Sequence, residues 1–169
     1  RFKKMLDRLG KAIVMSADSE TSEIIRRRLF EWDERAITAE GKVMLSKDAI
    51  ETCNEYGDWV IDHRQQLPNW FALDSAQEQF AATYPFHPTT ISVFERKWQE
   101  LARFQQTRGV LRMLALWVSQ AYQQGFKGGH KDALIGLGTA PLDASMFRSA
   151  VFEQLGETKL EGAVTTDIC

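Results

Sequence analysis

Cysteine, histidine and proline are scarce in this sequence, and each scarcity removes a class of chemistry. The 169 residues include only two cysteines, Cys53 and Cys169, and three histidines, His63, His87 and His130. They form no CxxC pair and have no metal-ligand spacing, so neither a disulfide scaffold nor a zinc framework is expected. A reduced compartment, the cytoplasm, follows as the expected location. Long apolar runs are also lacking. The longest, Met113 to Val118, falls far short of the ~20 residues that a membrane span needs. The opening Arg1-Phe2-Lys3-Lys4-Met5 leads into an amphipathic stretch, where a signal peptide would have an apolar core. The formal net charge is −2, without the surplus of Lys and Arg by which a general polyanion binder releases counterions.

Catalytic signatures are missing as well. There is no GxxxxGK[ST] phosphate loop, no GxSxG elbow and no HExxH or HxE zinc motif. Gly125-Phe126-Lys127-Gly128-Gly129 follows a helical pattern, so it reads as a helix cap and turn. Gly136-Leu137-Gly138 carries little information. Asp58 and Asp62 share a helix face beside His63, but nothing completes a proton-transfer or metal site, and a solvated face is the simpler reading.

What is present is helical patterning. Hydrophobic residues make up 44% and charged residues 26%, an ordinary globular balance. Residues 1 to 10 read as the end of a helix with Gly10 as its cap, and Ala12-Ile13-Val14-Met15 as a short buried strand. Asp18 or Ser19 starts a second helix with Ile24, Ile25, Leu29 and Phe30. Within it Arg26-Arg27-Arg28 fan around the axis, so at least one must turn into a groove or interface. Residues 31 to 45 form a charged connector. Ser46 caps a helix over about 47 to 66, with Ile50, Cys53, Tyr56-Gly57 and Val60 at its period and Pro68 at its end. Trp70 and Phe71 follow in a loop.

Asp74 caps a short helix to about Ala82. In Tyr84-Pro85-Phe86-His87-Pro88, Pro88 suits the first position of a helix to Leu101, whose face is Ile91, Phe94, Trp98 and Leu101. His87 reads as a local cap or packing residue. Thr107 caps the strongest helix, with Val110, Leu111, Leu114, Trp117, Val118, Ala121 and Tyr122 buried and Gly125 at its close. Ala133 to Leu137 suits a short strand, and Asp143 caps a helix that Gly156 ends. The fold class expected is mainly α, a multi-helix bundle with at most one or two short strands.

Arg108 and Arg112 are four positions apart, one turn along the same side of the longest helix. Near a helix N-terminus the dipole gives cations nothing. Two arginines there suit an approaching phosphate or carboxylate, or else structural pairing with carboxylates such as Glu95 and Glu100.

Ile24-Ile25-Arg26-Arg27-Arg28-Leu29-Phe30-Glu31, Tyr84-Pro85-Phe86-His87-Pro88 and Phe104-Gln105-Gln106-Thr107-Arg108-Gly109-Val110-Leu111-Arg112 resemble successive motifs of one family. So do Leu134 to Leu142 and Phe147 to Leu155. The family is a group of large prokaryotic AAA+-like P-loop ATPases that carry a domain of unknown function, often encoded beside DNA methyltransferases in clusters like those of phage defence. The resemblance implies that residues 1–19 are the tail of an upstream ATPase core, and that 20–169 are a helical lid-like domain with the start of the next region. The opening at Arg1 and the stop at Cys169 accord with a piece cut from a larger protein.

The resemblance further implies that Thr107, Arg108 and Arg112 are sensor-like contacts to nucleotide phosphate. ATP and Mg would then be bound by the intact parent, and no catalytic residue would lie in this stretch. The implied partners are the upstream P-loop core, other subunits of an oligomer and a methyltransferase or DNA context, with no membrane. Two alternatives are a helix-turn-helix or winged-helix nucleic-acid module, reading with the 107–124 helix and a 133–138 wing, and a protein-interaction module with Trp32, Trp70 and Phe71 as anchors.

Overall fold

A computed structural model describes residues 22–67, 73–93, 108–128 and 132–167. The chain is mainly helical and divides into two compact units, the first ending at Tyr84 and the second beginning at Pro85. The expected boundary near residue 19, the 12–15 strand, and the Trp70 and Phe71 loop lie outside the described residues.

In the first unit, residues 22–29 form helix α1, and Lys47–Asp62 and Ala76–Thr83 form α2 and α3. Ser46 caps α2 as its sequence requires, its hydroxyl accepting from the Ala49 N–H at 3.2 Å. The buried stripe of α2 is Ala49, Cys53, Gly57 and Val60, whereas Ile50, expected inside, is exposed. The stripe consists of small residues because α3 lies directly against it. A Cβ on Gly57 would meet the Gln77 backbone at 2.9 Å. Tyr56 packs its ring on buried Phe80 with centroids 5.6 Å apart.

The charged connector is an ordered turn. Ile37 and Val43 form an antiparallel bridge, closed by Thr38 N–H to Lys42 O at 2.8 Å. Gly41 takes φ +79° at its tip, a conformation that a Cβ disfavours. Val43 is buried, and its N–H donates to the Glu23 carboxylate of α1 at 3.0 Å.

In the second unit, α4 is described over Pro88–Ser92, α5 over Arg108–Phe126, α6 over Ser145–Leu155 and α7 over Glu161–Asp167. His87 precedes Pro88 as the cap of α4, with its Nδ1 accepting from the Thr89 N–H at 3.2 Å. The Phe94, Trp98 and Leu101 positions lie outside the described residues. The 133–137 stretch contributes one parallel bridge, Ile135 to Phe86, and then a 3-10 turn.

The core of this unit includes Phe86, Ile91, Met113, Leu114, Trp117, Leu134 and Phe147. Trp117 meets Phe147 edge-on at 5.5 Å, and its indole N–H donates to the Thr139 carbonyl at 2.9 Å. Tyr122, expected in the buried stripe, is exposed. Gly125 stays helical, and the left-handed glycine beyond α5 is Gly128, at φ +74°. Asp143 does not cap α6; the cap position is Ala144, without a side-chain bond. Gly156 ends α6 at φ +69°, its N–H returning to the Phe152 carbonyl. Among the described residues no helix is long and apolar enough to cross a membrane.

Candidate functional site at the head of the longest helix

Position 109 decides how α5 meets α6. A Cβ on Gly109 would fall within the side-chain amide of Gln154, so the first described turn of α5 lies directly on α6. Gln154 Oε1 is buried there without a hydrogen-bond partner. Glycine costs a helix interior about 1 kcal/mol relative to Ala, and this close packing accounts for its place. The backbone that carries positions 108 and 112 is therefore seated against a second helix.

Arg112 projects from that turn into solvent. Its Nη1 lies 3.3 Å from Glu153 Oε2, and the side chains are 59% and 66% exposed. Pairs this exposed contribute roughly 0–1 kcal/mol, since water and salt compete with them. The guanidinium is thus held only lightly and can exchange its carboxylate for another anion. Its described partner is Glu153; Glu95 and Glu100, the carboxylates expected as alternatives, lie outside the described residues. Thr107 also lies outside them, and so does the side chain of Arg108, for which only the backbone is described.

Arg26 behaves in the opposite way. Of the three consecutive arginines, Arg27 and Arg28 are exposed and Arg26 is only 5% exposed. Its Nε donates to the Tyr84 carbonyl at 2.9 Å, and its Nη2 donates to the carbonyls of Ala81 and Ala82. Those acceptors are orphan carbonyls at the C-terminal end of α3, where a cation also meets the negative end of the dipole. Nη1 pairs with Glu23 at 3.3 Å. Burial lowers the hold of Arg26 on its proton, and the charge of Glu23 offsets part of that loss. The Arg26 carbonyl accepts in turn from the Trp32 indole at 3.2 Å. Arg26 is thus a structural fastener, and Trp32 is partly enclosed beside it.

Other polar candidates have local duties. Asp58 accepts from the Gln77 amide at 2.6 Å, while His63 stacks on Trp59 at 4.2 Å and bonds the Trp59 carbonyl. Among the described residues no three His, Cys, Asp or Glu side chains gather as metal ligands would. Burial pushes the Cys53 thiol up, with Arg26 drawing it partly back, so the thiolate needed for nucleophilic chemistry is disfavoured. Burial holds His87 below its ordinary value, which keeps the neutral ring able to accept from Thr89.

No family model, curated protein or solved structure matches this chain. The residue chemistry therefore carries the functional reading. Two members of the site, Glu153 and Gln154, carry no signal in the sequence that singles them out. The only local hint is a glycine inside a strong helical pattern, which marks close approach without naming the neighbour.

Proposed function

We propose that this chain is the helical lid-like region of an AAA+-like ATP-binding protein, in which Arg108 and Arg112 meet nucleotide phosphate from an adjoining P-loop core. The observation that supports this most directly is the lightly held Arg112 guanidinium, exposed on a turn that Gly109 seats against α6. A phosphate is a better partner than Glu153, because it offers several charged oxygens to the planar fork. ATP and Mg would be bound chiefly by the core, in the cytoplasm. This region would answer the charge of the nucleotide and turn its hydrolysis into movement, and other subunits or a DNA-methyltransferase context remain part of the proposal.

The test is made in the intact protein. Arg108→Ala and Arg112→Ala are expected to lower ATP turnover by roughly 10²–10³-fold at whichever position serves the transferring phosphate. The melting temperature should hardly change. Full turnover in both single variants and in the double variant would remove the sensor assignment.

A second reading, as a protein-interaction module, is favoured by the other end of α5. Tyr122 and Phe126 stand one turn apart there, 73% and 85% exposed. Pull-down with Tyr122→Ser and Phe126→Ser variants of the intact protein distinguishes it, since those changes should spare turnover.

A further inference from the structure

Helix α2 turns Ala49, Cys53, Gly57 and Val60 inward, and the residues of its outward side are of one charge. Asp48, Glu51, Glu55, Asp58 and Asp62 are all exposed. With 3.6 residues per turn they fall within an arc of about 80°, opposite the buried stripe. Successive members are three or four positions apart, where like charges repel and weaken a helix. Among the described residues none of the five forms an ion pair; the Gln77 amide bonds Asp58. Lys47 is the one Lys or Arg in the helix, and the last turn has none. Asp48 gains from the dipole at the first turn, whereas Asp62 stands at its negative end.

Large apolar side chains border this ridge. Ile50 and Ile61 flank one side, 44% and 42% exposed, and Trp59 flanks the other, 52% exposed. We propose that this face of α2 docks a Lys/Arg-rich amphipathic helix of a partner protein. From Asp48 to Asp62 the ridge is roughly 21 Å long, which about four turns of a basic helix match. Ion pairs across the contact replace repulsion within α2, steer the approach and fix the register. Trp59, of a residue type that often anchors interfaces, takes an apolar side chain beside them. A second copy suits the face poorly, because a twofold contact sets the same ridge against itself. Nucleic acid and anionic lipid are repelled by it. The proposal concerns the first unit alone and is independent of the nucleotide reading.

The test titrates the full chain into a fluorescein-labelled amphipathic peptide of Leu and Lys, about four turns long, and follows anisotropy. Binding at low salt should weaken at least about tenfold in Glu51→Gln/Glu55→Gln/Asp62→Asn, and similarly on adding salt. Trp59→Ser should weaken it by at least about tenfold, as the loss of an anchor does. Neutralising the ridge removes repulsion and leaves the helix at least as stable, which circular dichroism checks. A matched variant, Asp132→Asn/Glu157→Gln/Asp167→Asn, removes the same charge from exposed positions of the second unit. It should bind within about twofold of wild type, since distant charges are screened. No binding at low salt, equal loss in both triple variants, or full affinity in Trp59→Ser would overturn the proposal. So would a dimer in solution that the α2 triple variant dissociates, which would give the face to a second copy.

Discussion

Gly57 and Gln77 approach so closely that a Cβ on the glycine would stand 2.9 Å from the Gln77 backbone nitrogen. Gly57→Ala should therefore destabilise the first unit by about 1–3 kcal/mol, the usual cost of overpacking. The helix-propensity gain of up to about 1 kcal/mol offsets part of this. Urea unfolding followed by tryptophan fluorescence checks it, and a more stable variant would show that the helices can part without cost.

Arg26 meets three carbonyls and a carboxylate from a buried position. Arg26→Met keeps much of the stem but leaves those acceptors and Glu23 without the guanidinium. The expected loss is about 3–5 kcal/mol, as when one partner of a buried ion pair is removed. Arg26→Lys should rescue only part of it, because an ammonium cannot reproduce the planar fork. Thermal denaturation of the three proteins gives the ranking, and equal stability of the Met variant would contradict it.

His87 gives a pH signature. Burial lowers its proton affinity from the ordinary value of 6.5, so the unfolded chain binds the proton more readily than the folded one. Stability from this group is fully present above about pH 6.5 and is lost as pH falls toward the lower folded value. His87→Asn preserves a capping oxygen without a titrating ring. The difference in unfolding free energy between wild type and variant should shift in the variant's favour from pH 7.5 to 5. A constant difference over that range would mean that the ring does not titrate as described.

Glu153 restrains Arg112 only from solvent. Glu153→Gln should change stability by less than about 1 kcal/mol. If Arg112 serves phosphate, the same change should strengthen nucleotide binding by the intact protein, measured by titration with a fluorescent ATP analogue. Weaker binding would place Glu153 on the side of the nucleotide.

The helical fold is legible in the sequence where local chemistry dictates it. Ser46, Pro88, His87 and Gly156 each act within a turn of their own position, and the sequence reveals such caps. The α2 stripe departs from its periodicity at one register because its buried residues are small: Ala49 and Gly57 contribute little hydrophobic signal, while Ile50, which does, faces water. Close helix packing selects for smallness, and periodicity weighted by size overlooks it. The arginine triplet shows that one member must turn inward, but its acceptors lie 55 and 56 positions away. Glu153 is likewise 41 positions from Arg112. Partners brought together by tertiary folding leave no periodic trace.

Thr90 and Ile135, joined by a hydroxyl-to-carbonyl bond, are 45 positions apart. During synthesis the Tyr84 to Ser92 segment must therefore leave the ribosome well before the residue that anchors it. Closing so long a span costs chain entropy before the contact returns any of it. Until Ile135 arrives, the bonds that Pro85, His87 and Thr90 make to it are open, and a partly formed second unit of this kind is open to chaperones and to aggregation for that interval.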